Sequence, residues 1–258
     1  MRPGTVSIVG AGPGDPELIT LKALKRIREA DVILYDRLVG EELLDYAKEG
    51  AVRLYCGKSP GRHAMSQERI NETLVAYARS GKAVVRLKGG DPLVFGRGGE
   101  EALALAEHRI PYEIVPGVTS AIAAAASAGI PLTHRGVSAS LAVVTGSRCS
   151  EGSDAPVRWD MLARGVDTIA IYMGVGQLAH IREELLKHGK PGSTPVALVE
   201  RAATPEQRVV TGTLARICRL AEEMRLANPA LIVIGDVVLV RERLLGFGLG
   251  LFGEAVNG

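Results

Sequence analysis

Twenty residues, 82–101 (KAVVRLKGGDPLVFGRGGEE), leave this chain little choice of local fold. Residues 83–87 read as a short apolar run between Lys82 and Lys88, long enough for a buried strand and too short for a helix. Gly89 and Gly90 end it. Two adjacent glycines accept positive φ and carry no Cβ, so a ligand can lie directly against the main chain. Pro92 holds Asp91 extended. Gly96, Gly98 and Gly99 then surround Arg97, and Glu100 and Glu101 open a helix with apolar periodicity through Ala102, Leu103, Leu105 and Ala106. Acidic residues suit that first turn, where the helix dipole is positive. A turn that merely reverses the chain has no need of so much backbone freedom around one cation, whereas a binding loop does.

The same alternation recurs along the first half. Strands are predicted at 5–9, 31–36, 52–55, 83–87 and 112–115, and helices at 41–47, at 66–80 and after Gly99. Thr20 caps a further helix, with Leu21, Leu24 and Ile27 on its buried side and Lys22, Lys25 and Arg26 outside. Thr119 and Ser120 are placed to cap an alanine-rich helix that Pro131 stops. Such alternation is the sequence form of a mostly parallel sheet with helices on both faces. A fresh strand at 140–145, following Arg135 and Gly136, puts a domain boundary near 134. The 258 residues thus divide into domains at 1–134 and 135–245, with a glycine-rich tail at 246–258. In the second half strands are predicted at 167–173, 194–200, 207–212 and 229–240, and helices at 175–188 and 214–226. Little helical material separates 199 from 211, which predicts antiparallel pairing there.

Charge and composition exclude several functions. Against 29 acidic residues stand 31 basic ones, so no global field draws the chain to nucleic acid or to a membrane surface. Only 4% of residues are aromatic, too few for base-stacking platforms. Cys56, Cys149 and Cys218 are odd in number and widely spaced, which points to neither a disulfide framework nor a zinc site. The N-terminus lacks a hydrophobic segment of signal-peptide length, and the small-apolar run 121–130 is too short to span a bilayer. The expectation is a cytoplasmic, soluble protein with no metal, membrane or nucleic-acid partner. Gly10, Gly12 and Gly14, with Asp36 after the second strand, invite the reading of an NAD-dependent oxidoreductase. Against it, the third glycine of that pattern would fall at Asp15, and Pro13 removes a backbone donor.

The stretches VSIVGAGPGDPELITLKA, DVILYDRLV, GRHAMSQERIN, RLKGGDPLVFGRGGEE, VPGVTSAIAAAASAGIPLTHRG, IYMG and QRVVTGTL follow one another in the order seen in tetrapyrrole methylases, a family the chain resembles over most of its length. The resemblance implies two α/β domains with mixed, mostly parallel sheets and a cofactor cleft between them. It implies transfer of methyl groups from S-adenosylmethionine to C2 and C7 of uroporphyrinogen III, giving precorrin-2, by a homodimer. Carried over by motif position, Pro13, Gly89, Gly90, Asp91, Val94, Thr119, Ser120, Met173, Ala202 and Ala230 contact the cofactor. Arg37, Arg135 and Met173 contact the substrate, and Arg97 and Glu100 assist the chemistry, including loss of a proton from the methylated ring. Arginine suits a substrate bearing many carboxylates because its planar fork binds them in bidentate fashion. The chain departs from the family pattern at Ser59, where GKR is usual, and at Ser147, where TGH is usual, which puts two basic contacts in doubt. The alternatives are a methyltransferase acting on a later corrin precursor, the NAD-dependent oxidoreductase, and a non-catalytic module that holds the cofactor without consuming it.

Overall fold

The computed structural model of the chain describes residues 4–57, 65–146 and 157–246. The chain divides into two compact units, Met1–Thr119 and Ser120–Gly258. Each is built on a five-stranded sheet.

In the first unit β1 (Val6–Gly10), α1 (Leu21–Glu29), β2 (Val32–Tyr35), β3 (Val52–Tyr55), α2 (Gln67–Arg79), β4 (Val84–Lys88), α3 (Gly98–Glu107) and β5 (Tyr112–Val115) follow in sequence. The sheet order is β3-β2-β4-β1-β5, and every pairing is parallel. Val6, Ile8, Leu34 and Val84 pack on one face against Ile70 and Leu74 of α2 and Ala102 and Leu105 of α3. Val9, Ile33, Val85 and Leu87 pack on the other against Ala23 and Ile27 of α1. Burial on both faces explains the continuous apolar strands. The Thr20 hydroxyl accepts a hydrogen bond from the Ala23 amide at 3.1 Å, as its capping position predicts. The buried stripe of α1 is Ala23 and Ile27, however, and Leu21 is 86% exposed. Ala23 and Ile27 lie one turn apart on the face toward the sheet, and Leu21, two residues from Ala23, falls on the opposite side of the helix.

In the second unit α4 (Ser120–Ser127), β6 (Leu141–Thr145), α5 (Trp159–Gly165), β7 (Thr168–Tyr172), α6 (Leu178–Lys187), β8 (Pro195–Glu200), β9 (Arg208–Thr213), α7 (Ile217–Glu223), β10 (Ala230–Ile234) and α8 (Val238–Gly246) follow. The order is β6-β7-β10-β8-β9; β6 and β7 are parallel and the other three pairings antiparallel. The antiparallel expectation for β8 and β9 holds, while the expectation of mostly parallel pairing holds for the first sheet and not for the second. Short connections after β8 leave no room for a crossover helix.

Two boundaries differ from expectation. The division falls before the alanine-rich helix rather than near 134, because Ala121, Ala124 and Ala128 pack with Ala170, Ala197 and Val233 of the second sheet. The extended run expected over 229–240 stops at Ile234; after Gly235 (φ +142°), Val237 and Val238 enter the core and α8 begins at Val238. Beyond Gly246, the expected tail lies outside the described residues, as do Ser59, Ser147 and Cys149. Among the described residues no helix is long and apolar enough to cross a membrane.

Candidate active site

Helices leave the adjacent strands β1 and β4 on opposite faces of the first sheet, α1 on one and α3 on the other. In open parallel sheets that divergence opens a crevice at the carboxyl ends of the strands, where ligands bind. The glycine-rich segments stand there. The Ala11 amide donates to the Lys88 carbonyl at 2.7 Å, and Gly12 and Gly90 exchange two backbone hydrogen bonds, 2.6 and 3.2 Å long. Both glycines have positive φ, +83° and +68°. A Cβ on Gly10 would lie 2.6 Å from the Gly90 carbonyl oxygen, and one on Gly117 would lie 2.3 Å from that same atom. The ends of β1, β4 and β5 therefore meet as bare main chain. Asp91 fastens them: one carboxylate oxygen accepts the Leu93 amide at 2.8 Å and the other the Gly117 amide at 3.1 Å.

This arrangement does not suit a dinucleotide. In that fold the helix starts at the glycine loop and offers its N-terminus to the pyrophosphate. Here a 3-10 turn (Pro16–Leu18) intervenes and α1 starts only at Leu21.

The segment from Asp91 to Gly98 folds back on itself. A Cβ on Gly96 or Gly98 would come within 2.6 or 2.5 Å of the Pro92 carbonyl oxygen, to which the Gly98 amide donates at 2.9 Å. Phe95 and Arg97, neither of them glycine, take φ of +52° and +58°. Left-handed conformations at such residues cost of order 1 kcal/mol or more and gather at functional sites. Arg97 forms a bidentate pair with Glu100, Nε to Oε1 at 2.8 Å and the terminal nitrogen to Oε2 at 2.7 Å. That hydrogen-bonded pairing raises the arginine pKa further and holds the Glu100 carboxyl below its usual range. The pair occupies the Nε side of the guanidinium, leaves the other terminal nitrogen outside the fork, and makes Arg97 no base. Arg37 is exposed at the carboxyl end of β2, the same edge of the sheet.

The sequence reading took residues 83–87 as apolar and missed what lies beneath the bend. Arg86 and Lys88, two apart on β4, share the face covered by α2 and α3 and are buried, as is Glu101 at 0% exposure. Glu101 Oε1 accepts from Arg86 Nε at 3.0 Å, Lys88 Nζ at 3.0 Å and Gln67 Nε2 at 3.3 Å. Arg86 also reaches Asp36 Oδ2 at 3.3 Å. Burial, with Arg86 beside it, pushes the Lys88 pKa down; burial opposes the Arg86 charge too, but Glu101 and Asp36 outweigh it and push that pKa up. The i, i+2 spacing of Arg86 and Lys88 on a strand, followed by two acids at the next helix entry, is the signal that the period-2 rule offered.

In the second unit, Met173, Ala202 and Ala230 lie on one edge of the sheet, since Ile232 pairs with Ile171 and Ala230 with Glu200. Met173 has φ +52° and is half exposed. Arg201 and Ala203, flanking Ala202, are also left-handed at +45° and +56°. Gln207 holds their turn: its Oε1 accepts from the Ala203 amide at 2.9 Å and the Ser127 hydroxyl at 2.6 Å, and its Nε2 donates to the Ser127 carbonyl at 3.2 Å. The Tyr172 hydroxyl accepts the Ala121 amide at 2.7 Å and so ties the first turn of α4, opened by Ser120, to the end of β7. Arg135 is placed elsewhere. It stands exposed in the turn that the His134–Ser138 bridge closes before β6, at the opposite edge of the sheet, beside a concavity of about 550 Å³ bounded by Asp167. Among the described residues no group of three or more His, Cys, Asp or Glu is arranged to hold a metal ion.

Comparison with known proteins gives one answer. The family model for tetrapyrrole (corrin/porphyrin) methylases matches residues 5–218. A uroporphyrinogen-III C-methyltransferase of Priestia megaterium is 58% identical over 235 residues, 91% of this chain and 98% of that one. One from Methanocaldococcus jannaschii is 52% identical over 238 residues, 92% of this chain and 98% of that one. The crystal structure of the Thermus thermophilus uroporphyrin-III C-methyl transferase complexed with S-adenyl homocysteine superposes with a TM-score of 0.79 at 46% identity, over 92% of this chain and all of the other. The chain belongs to the tetrapyrrole methylase family.

Proposed function

We propose that the protein transfers methyl groups from S-adenosylmethionine to C2 and C7 of uroporphyrinogen III, giving precorrin-2. The observation that carries this reading is the cradle of bare main chain where Gly10, Gly90 and Gly117 meet at the carboxyl edge of the parallel sheet. A cofactor with an adenosine and an amino-acid end suits this edge, because the close main-chain packing that the absent Cβ atoms permit fixes the three strand ends as one platform at the mouth of the crevice. By motif position, Pro13, Gly89, Gly90, Asp91, Val94, Thr119, Ser120, Met173, Ala202 and Ala230 would contact it. When bound, the sulfonium supplies an electrophilic methyl group, which needs neither a covalent nucleophile nor a metal to be transferred.

The chain's own task is then alignment and exclusion of water. Arg97 and Arg37, at one edge of the first sheet, bind substrate carboxylates; each charged hydrogen bond contributes roughly 1.5–3 kcal/mol. Glu100 holds the Arg97 fork in one plane. Arg135 binds a further carboxylate only if the macrocycle reaches the other edge of the second sheet, so an Arg135→Ala enzyme with unchanged KM removes it from the site. A homodimer working in the cytoplasm completes the reading. The test is incubation of the purified chain with uroporphyrinogen III and S-adenosylmethionine, followed by mass spectrometry. Two methyl additions are expected; turnover only of an already methylated corrin precursor would replace this reading with the later-pathway one.

A further inference from the structure

We infer that Glu101 is the positioning residue of the loop from Gly89 to Arg97: its buried carboxylate ties the start of α3 to the end of β4 and so sets how the twin-glycine main chain and the Arg97 guanidinium are presented. The inference rests on the proposed placement of the cofactor at that bend. The loop leaves β4 at Lys88 and re-enters regular structure at Gly98, the first residue of α3. Glu101 sits in the first turn of that helix and Lys88 on the last residue of that strand, and the 3.0 Å bond between them closes the neck of the loop. Arg86, one pleat earlier, pulls on the same Oε1 from 3.0 Å. Oε2 is buried and has no hydrogen-bond partner among the described residues, so the whole attraction converges on one atom. That makes the tie directional. Consecutive acids do opposite work: Glu101 faces inward and anchors the helix, while Glu100 faces outward and holds Arg97.

Stability alone does not account for the cluster. Replacing a buried ion pair with apolar side chains of similar size is often neutral or stabilising, whereas removing one partner leaves an uncompensated buried charge. Two cations here face two carboxylates, Glu101 and Asp36. What such a cluster supplies is register, and register matters at a site where a shift of about 1 Å can cost on the order of a hundredfold in rate.

The experiment separates register from stability. Glu101→Gln leaves two buried cations against one carboxylate; its melting temperature should fall and its affinity for S-adenosylhomocysteine, measured by calorimetry on folded protein, should weaken at least tenfold. The double variant Lys88→Met/Glu101→Gln restores the charge balance. Its melting temperature should return to near the parent value while its affinity stays at least tenfold weaker, because the neck is still untied. Affinity that recovers together with melting temperature would overturn the inference, as would a parental Kd in Glu101→Gln. If Glu101→Gln does not fold, the double variant decides by the same criterion. A Gly90→Val control, which puts a β-branched side chain at φ +68° on the bend itself, should abolish binding; a parental Kd there would instead overturn the placement of the cofactor on which the inference stands.

Discussion

Arg97 shows how much one residue's conformation can say. Its left-handed φ of +58° is imposed by the glycines on either side, both folded against the Pro92 carbonyl, and is held by two hydrogen bonds to Glu100. Arg97 and Glu100 are more than half exposed, so their mutual attraction is screened and contributes no more than about 1 kcal/mol to stability. Arg97→Ala is therefore expected to keep its melting temperature and to bind S-adenosylhomocysteine normally by calorimetry, while methyl transfer is lost. Retained turnover would take Arg97 out of the site. That Arg97 stands in an unusual backbone setting was legible in the sequence, since glycines crowd one cation. Its partner was named only through family resemblance, because a carboxylate three residues on is an ordinary helix-entry residue until coordinates show the fork closed on it. Arg86 was legible only as one of two cations at period-2 spacing: a charged residue within an apolar strand reads as an interruption unless the acid that neutralises it, fifteen residues later in sequence, is known to lie beside it.

At the level of elements, the first unit is pinned at its margin by charge. Glu113 on β5 accepts hydrogen bonds from Ser7 on β1 at 2.9 Å and from Arg26 on α1, and Lys22 lies 2.8 Å away. The Arg26 hydrogen bond is the largest of the causes that lower the Glu113 pKa to about 2. A carboxyl depressed in the folded state lends stability above its unfolded pKa and loses it as pH falls through the folded value. The stabilisation is thus complete near neutrality and fades from about pH 4.5 toward about pH 2. Glu113→Gln is expected to melt below the parent protein at pH 7, and the two melting temperatures should converge as the pH approaches 2; a gap that stays constant with pH would refute the assignment. The elements themselves were mostly readable from period and caps. The exception at α8 is instructive, for a run rich in valine reads as strand, and it becomes helix because Gly235 breaks the strand and the second sheet offers Val237 and Val238 a place in its core.

For the whole molecule, the proposed cofactor makes a quantitative demand. A ligand that binds only the folded chain adds RT ln(1 + [L]/Kd), about 2.7 kcal/mol at a hundredfold excess over Kd. S-adenosylhomocysteine at that concentration should raise the unfolding free energy of the full chain by this amount, read from denaturant midpoints at unchanged slope, whereas NAD at the same concentration should leave the midpoint where it was. A midpoint moved by NAD alone would restore the oxidoreductase reading that the 3-10 turn at Pro16–Leu18 argues against.

The sequence by itself determined the strand, glycine and helix order of the first unit, the caps and the family, because those rest on local propensity, periodicity and motifs a few residues long. Tertiary structure alone decided which unit owns the alanine-rich helix, how the second sheet pairs beyond β8 and β9, that Met173, Ala202 and Ala230 share an edge from which Arg135 is absent, and that two cations lie buried on Glu101 beneath the bend. These are contacts between residues distant along the chain, and no local pattern carries the free energy that selects among them.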